Sequence, residues 1–365
     1  MINIEQLKID CRFFRGDVPC KPHKQFGVHC VDQNGNTCSY YDKIENEILI
    51  IKLGATGDVI RTTPILHPLK NKYPKSKIYW LTLSPVVVPN LVDVVLYYKF
   101  ESIEYLKSKR FDLVINLDKD VDACALAAQL EAGDKKGFIL REGVQYPANK
   151  DAHHKYLTGV FDDYSKQNTK NYMEEMFEIL GFNYNGEKYI LPDFESLSLK
   201  WDLNKNKKII GLNTGCGGRW TSRLWKDEFW ILLAKKLLAD NYEVVFLGGE
   251  QENEGNKLFA EKSGAKYLGY FSLDKFINLV AQCDLVVTAV TMAMHITLGL
   301  NKKIVLFNNI FNKHEFELFG LGEIVEPGKE CKCFYKPTCS NTEYRCMDYI
   351  SVDDVFISIN RLCDK

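Results

Sequence analysis

Residues Ile48–Pro64 read ILIIKLGATGDVIRTTP. A run of β-branched and apolar residues stops at Gly54, passes through Ala55, Thr56 and Gly57, and presents one carboxylate, Asp58, ahead of an amphipathic stretch. That pattern is a buried strand, a glycine turn and a helix. In an open α/β sheet ligands bind outside the carboxyl ends of the strands, which puts Asp58 at the mouth of a cleft, where a carboxylate can act on a substrate. An Asp in a first helical turn also serves merely to complement the helix dipole. The tract fits neither phosphate-loop template, having no spaced third glycine and no Gly-Lys-Ser/Thr, so phosphate binding is expected elsewhere.

Working outward, 365 residues with 46% hydrophobic content can bury two ordinary cores. The 47 basic and 48 acidic residues are interspersed, leaving a formal charge of −1 and no field that would recruit nucleic acid. An anionic ligand has to be held locally. The opening MINIEQLKIDC has no apolar signal core, and no run approaches the ~20 apolar residues of a membrane helix, so a cytoplasmic protein is expected.

From Ile48 to about Ile190 strands and helices alternate, with short strands at Ile78–Leu83 and Leu113–Leu117 and helical spacing at Val121–Leu130 and Tyr172–Leu180. Gly143–Asp163, with adjacent His153 and His154, reads as a solvated surface loop. The polar residues 193–207 read as a linker. A second unit follows, with strands at Lys208–Asn213, Glu243–Leu247, Leu285–Thr288 and Lys303–Phe307, and helices at Lys226–Asp240, Glu252–Ser263, Ser272–Gln282 and about Ala293–Gly299. The expected organisation is a Cys-rich segment 1–46, a Rossmann-like domain 47–192, the linker, a second Rossmann-like domain 208–330, and a Cys-rich segment with a terminal helix at 331–365.

Twelve cysteines in a chain without a secretory signature point to metal ligation. Cys11, Cys20, Cys30 and Cys38 precede the first strand, in a polar stretch with too little apolar content to fold by burial, and His23 or His29 could substitute among the ligands. Cys331, Cys333, Cys339 and Cys346 follow the last strand, with Pro337 and Asn341 supplying turns. Zinc is the default for such sets and iron the all-thiolate alternative; reduced buried thiols are the plain structural reading.

Two turns of the second half suit a phosphate. After the strand ending at Asn213 come Thr214, Gly215, Cys216, Gly217, Gly218, Arg219 and Trp220, then Arg223, offering close backbone approach and forked cationic donors. The segment Thr288–His295 ends a buried strand and opens a helix, whose free N–H groups suit a diphosphate. His295 by itself fits a packed core position equally well. The turn Gly248-Gly249-Glu250-Gln251-Glu252 offers carboxylates to ribose hydroxyls.

Taken in order, the Lys-Leu-Gly-x-x-Gly-Asp-Val-Ile-Arg-Thr-Thr-Pro tract, the Thr-Gly loop with its Arg-Leu-Trp, the Gly-Gly-Glu turn and the strand end closing in Met-His resemble the ADP-heptose:lipopolysaccharide heptosyltransferases, across about Ile48–Phe307. The resemblance implies the GT-B architecture, two Rossmann-like domains facing across a cleft, and an inverting transfer without a catalytic metal from a nucleoside-diphosphate sugar, ADP-heptose, to a hydroxyl of a glycan, lipopolysaccharide or protein. It implies that Asp58 is the general base, that Arg223 stands for the family's phosphate-binding Lys, that Glu250 or Glu252 holds ribose, and that Thr291, Met292 and His295 line the diphosphate site with Thr214, Gly215 and Arg219 nearby. Where the family carries Asp-Ser/Thr-Gly, this chain has Val290-Thr291-Met292, which leaves the donor's sugar open. A lipid-linked acceptor is compatible with peripheral membrane association. A catalytically silent GT-B scaffold that binds a partner through its Cys segments, or a nucleotide-sugar epimerase, are the other functions this pattern allows.

Overall fold

In the computed structural model, which describes residues 3–363, the strands of the chain assemble into two six-stranded sheets. The first contains β1 (Asn46–Ile51), β2 (Ser76–Thr82), β3 (Val94–Tyr97), β4 (Arg110–Asn116), β5 (Glu131–Arg141) and β6 (Val144–Pro147), in the order β3-β2-β1-β4-β5-β6. All its pairings are parallel except β5 with β6. The second contains β7 (Ile209–Asn213), β8 (Glu243–Leu247), β9 (Lys266–Tyr267), β10 (Leu285–Ala289), β11 (Lys303–Phe307) and β12 (Gly322–Val325), all parallel, in the order β12-β11-β10-β7-β8-β9. Each order is that of the doubly wound nucleotide-binding fold, whose switch point lies between its first and fourth strands.

The sequence explains why β1 and β7 are central. Ile48–Ile51 are wholly buried and pair with β2 on one side and β4 on the other. A parallel strand covered on both faces requires such an unbroken apolar run. Just past β1 the Lys52 ammonium pairs with Asp118, just past β4, and the same carboxylate accepts the Leu53 N–H. Both side chains are nearly inaccessible. Burial pushes the Asp118 carboxyl up, with Lys52 and the Leu53 N–H acting against that push.

The chain forms two compact units. One comprises the residues through Leu53, Ile65–Thr82 and Asn90–Ala152; the other comprises Gly54–Pro64, Leu83–Pro89 and the residues from His153 onward. The helices His153–Val160, Asp162–Gln167 and Tyr172–Leu180 therefore belong with the second sheet, as does the glycine turn with Asp58. The stretch Gly143–Asp163, expected as a loop, contains β6 and the helix His153–Val160. Polar surface residues hid the helix there, and His154 is tied to Asn168 at 3.1 Å. Residues 193–207 carry no helix or strand, as read; Trp201 Nε1 donates to Asn278 at 2.7 Å, and the Asn278 amide donates to the Phe194 carbonyl at 2.7 Å.

Replacing Lys52 by Met should destabilise the first unit by about 3 kcal/mol at pH 7, because it leaves a buried carboxylate unpaired. Denaturant melts should show the loss shrinking as pH falls and Asp118 takes a proton; a pH-independent loss would contradict the pair's role.

Candidate functional site

The second unit carries an open cavity of about 820 Å³ lined in part by Ala55, Thr56, Gly57, Asp58 and Arg61. These residues belong to the helix Thr56–Thr62, which the Gly54-Ala55 turn starts and in which Asp58 is the third residue. The Asp58 carboxylate accepts the Ala55 N–H at 3.2 Å through one oxygen and pairs with the Arg61 guanidinium at 2.8 Å through the other. Arg61 also lies 3.6 Å from the ring centre of Tyr172. Burial opposes the Arg61 charge, yet Asp58, Tyr172 and Glu315 outweigh it and hold the guanidinium above its usual range.

Gly57 is required by close packing. A Cβ there would stand 2.6 Å from Cδ2 of His295, on the helix Met292–Gly299. His295 is 6% exposed and its Nδ1 has no hydrogen-bond partner. Burial, and then the Arg61 charge, push its imidazole down to about 3.

The glycine loop after β7 also lines the cavity. Asn213 holds it to the next turn, its amide donating to the Gly215 carbonyl at 3.2 Å and to Thr288 Oγ1 at 3.0 Å. Thr291 is the N-cap of the helix Met292–Gly299, accepting the Ala293 N–H at 3.2 Å. Arg223 is 7% exposed; its guanidinium donates to the Val290 carbonyl and to the Cys216 carbonyl, the latter at 3.2 Å. Burial pulls it down to about 10. Glu252 accepts the Gly249 N–H at 2.9 Å and fills the space a Gly215 side chain would need, so both glycines serve this packing.

Of the residues singled out in the sequence, Asp58, Gly215, Arg223, Glu250, Glu252, Thr291, Met292 and His295 line this one cavity. Thr214 lies behind it, its hydroxyl donating to Asn256 at 2.7 Å, and Arg219 is exposed, lying over the Trp220 ring and outside the cavity lining. The sequence reading assigned no role to Arg61, Glu315 or Tyr335, nor to the aromatic residues Trp220, Tyr270, Phe271, Phe276, Phe311 and Phe316, all of which line it. Arg61 sits three residues from Asp58 on one helix face and was legible by spacing. Glu315 and Tyr335 come from turns with no local signature.

All twelve cysteines are free. Cys11, Cys20, Cys30 and Cys38 share the lining of a small cavity of about 20 Å³ with His29. In the second set Cys333 Sγ lies 3.7 Å from Cys339 Sγ, and Cys331 shares a hydrogen bond with Cys346. Among the described residues, no group of three or more Cys, His, Asp or Glu side chains stands in an arrangement that could already hold a metal ion.

The family model for glycosyltransferase family 9 (heptosyltransferase) matches residues 100–315. A curated relative, lipopolysaccharide heptosyltransferase 2 of Escherichia coli K12, is 28% identical over 113 residues, which cover 29% of this chain and 32% of the relative. The match thus spans about a third of that curated protein. The glycosyl transferase family 9 structure from Veillonella parvula superposes with a TM-score of 0.66 at 20% identity, covering 87% of this chain and 97% of the other. E. coli heptosyltransferase WaaC, solved with ADP-2-deoxy-2-fluoro heptose, gives 0.60 at 18% identity, covering 86% and 99%. At these identities the structural likeness speaks for the fold, two parallel-sheet domains of the GT-B type.

The His295 environment sets a pH dependence. Its folded value of about 3 lies below the ordinary 6.5, so the unfolded chain takes up a proton first as pH falls. The stability it contributes is complete above pH 6.5 and is lost between 6.5 and 3, at up to about 1.4 kcal/mol per pH unit. His295→Gln should flatten the wild-type decline between pH 6.5 and 4.5 in denaturant titrations; parallel curves would refute the assignment.

Proposed function

The chain belongs to glycosyltransferase family 9, and on that premise we propose that it moves a heptose-like sugar from a nucleoside diphosphate, ADP-heptose, to a hydroxyl of a glycan, lipopolysaccharide or protein, with inversion at the anomeric carbon. The observation that carries this reading is the convergence of a carboxylate, an arginine-braced glycine loop and an open helix start on one cavity. Asp58 takes the acceptor proton as the hydroxyl oxygen attacks the anomeric carbon, and the bond from that carbon to the diphosphate breaks. Its ion pair with Arg61 orients the carboxylate.

The leaving diphosphate gains charge as this bond breaks. Thr291 and the first N–H groups of the helix Met292–Gly299 offer donors at that point, without reorganisation during the reaction. Arg223 adds a buried positive charge beside them; its two carbonyl contacts fix its position, and the phosphate would be met from the glycine-loop side. Glu250 and Glu252 stand at the end of β8, where they would accept from ribose hydroxyls, and Tyr270, Phe271 and Phe276 provide an apolar wall for a base. Val290 places no acid at the end of β10, so heptose recognition would rest on other groups of the cavity. Among the described residues no helix is long and apolar enough to cross a membrane, and a lipid-linked acceptor would be met at a membrane surface.

Structural metal is part of the same reading. With metal–thiolate bonds of about 2.3 Å, neighbouring sulfurs of a tetrahedral site stand about 3.8 Å apart. The 3.7 Å between Cys333 and Cys339 suits one edge of such a site, and Cys331 and Cys346 would complete it. Cys11, Cys20, Cys30 and Cys38 would form a second site around their shared cavity. Zinc or iron bound there would organise loops that have little apolar core of their own.

Asp58→Asn should lower the rate of ADP release from ADP-heptose by at least about 100-fold with donor KM little changed, since it removes a base and not a donor contact. A variant as active as wild type would sink the assignment. Elemental analysis of anaerobically purified protein should find zinc or iron at about one equivalent per thiol set, reduced by Cys333→Ser; fewer than about 0.2 equivalents would refute the metal sites.

A further inference from the structure

The segment Cys331–Cys346 does more than gather thiols. Three residues lying between Cys333 and Cys339, namely Tyr335, Lys336 and Pro337, reach both walls of the cavity. Tyr335 has a left-handed backbone, φ 50°, which a tyrosine adopts only where its surroundings over-determine it. Its N–H donates to the Ile310 carbonyl at 2.9 Å, its ring stands edge-on to Phe311 at 5.1 Å, and its hydroxyl donates to Glu315. Glu315 lines the cavity together with Arg61, the partner of Asp58, and acts electrostatically on its guanidinium.

The next two residues hold the other wall. The Ser222 hydroxyl donates to the Lys336 carbonyl at 2.8 Å, and the Ser222 N–H donates to the Pro337 carbonyl at 3.0 Å. The Ser222 carbonyl in turn accepts from the Asn309 amide at 2.9 Å, and that amide lies 3.4 Å from Cys346 Sγ. Ser222 immediately precedes Arg223, so these bonds fix where the guanidinium leaves the backbone. The thiols close the loop on itself: besides the Cys333–Cys339 contact, the Ser340 N–H lies 3.3 Å from Cys333 Sγ.

We propose that the Cys331–Cys346 loop is the brace of the donor pocket, fixing the Asp58–Arg61 pair through Tyr335 and Glu315 and the Arg223 turn through Ser222, so that a change at its thiols changes nucleoside-diphosphate affinity. The affinity part rests on the reading of the cavity as a nucleotide-sugar site. Tyr335 and Ser222 act here as positioning residues, through Glu315 and Arg223.

The test separates the brace from the nucleotide reading by measuring amide hydrogen exchange on the ligand-free full-length chain alongside calorimetric titration with ADP. Tyr335→Phe keeps the ring and should speed exchange in residues 56–62; Ser222→Ala should do so in residues 216–224; Cys339→Ser should do both. Each should weaken ADP by about fivefold or more, the weight of one hydrogen bond. Exchange in both segments indistinguishable from wild type in all three variants would overturn the brace. Faster exchange in variants of a protein that binds no ADP would uphold the brace and reject the nucleotide reading.

Discussion

Gly57 has no side chain, and the imidazole of His295 occupies the space where one would lie. That contact lets the short helix Thr56–Thr62 press against the helix Met292–Gly299, and the geometry of the cavity follows from it. Asp58 stands one residue beyond the contact and Thr291 four residues before it, so the proposed base and the proposed diphosphate donor are brought to one cavity by a missing methyl group. The cost is a histidine held neutral by burial, with a ring nitrogen left without a partner. An Ala at Gly57 would force the His295 ring, packed 2.6 Å from the added carbon, to give way.

Charge in the cavity is organised in layers. Asp58 is never isolated: Arg61 neutralises it, Tyr172 stacks on Arg61, and Glu315 with Tyr335 supplies a second acidic group within that field. Arg223, by contrast, donates to backbone carbonyls and lies near the rings of Trp220 and Phe311, and burial lowers its affinity for its proton. A cation so placed, donating to carbonyl dipoles, would gain from a phosphate.

The fold was legible where apolar runs are unbroken. Ile48–Ile51, Glu243–Leu247 and Lys303–Phe307 announce buried parallel strands, and Gly54 and Gly248 mark where strands give way to turns. Edge strands such as β9 and β12 are short and half-buried, and the helix His153–Val160 is mostly polar, so neither carries a periodic signal. Asp58 and the Thr291 cap were legible for the same reason, standing in the turns and helix starts that follow buried strands, whereas Arg223 lies ten residues beyond β7 and was legible only through its place before Leu224-Trp225. Glu315 and Tyr335 were not, because their meaning comes from a hydrogen bond between residues twenty positions apart. Arg219 illustrates the converse: a cation in a glycine loop whose backbone turns it outward, onto Trp220. The compact units cut across the expected division: Gly54–Pro64, Leu83–Pro89 and residues 153–192 lie in the unit of the second sheet.

The central claim is that this cavity takes a nucleoside-diphosphate sugar, and thermal unfolding in the presence of ADP, GDP, UDP and TDP tests it most directly. Ligand at 100 times its Kd adds about 2.7 kcal/mol to the folded state, a shift of a few degrees for a chain of this size. ADP should raise the melting temperature more than the other three, and Arg223→Ala should abolish the rise. No shift with any of the four at millimolar concentration would contradict it.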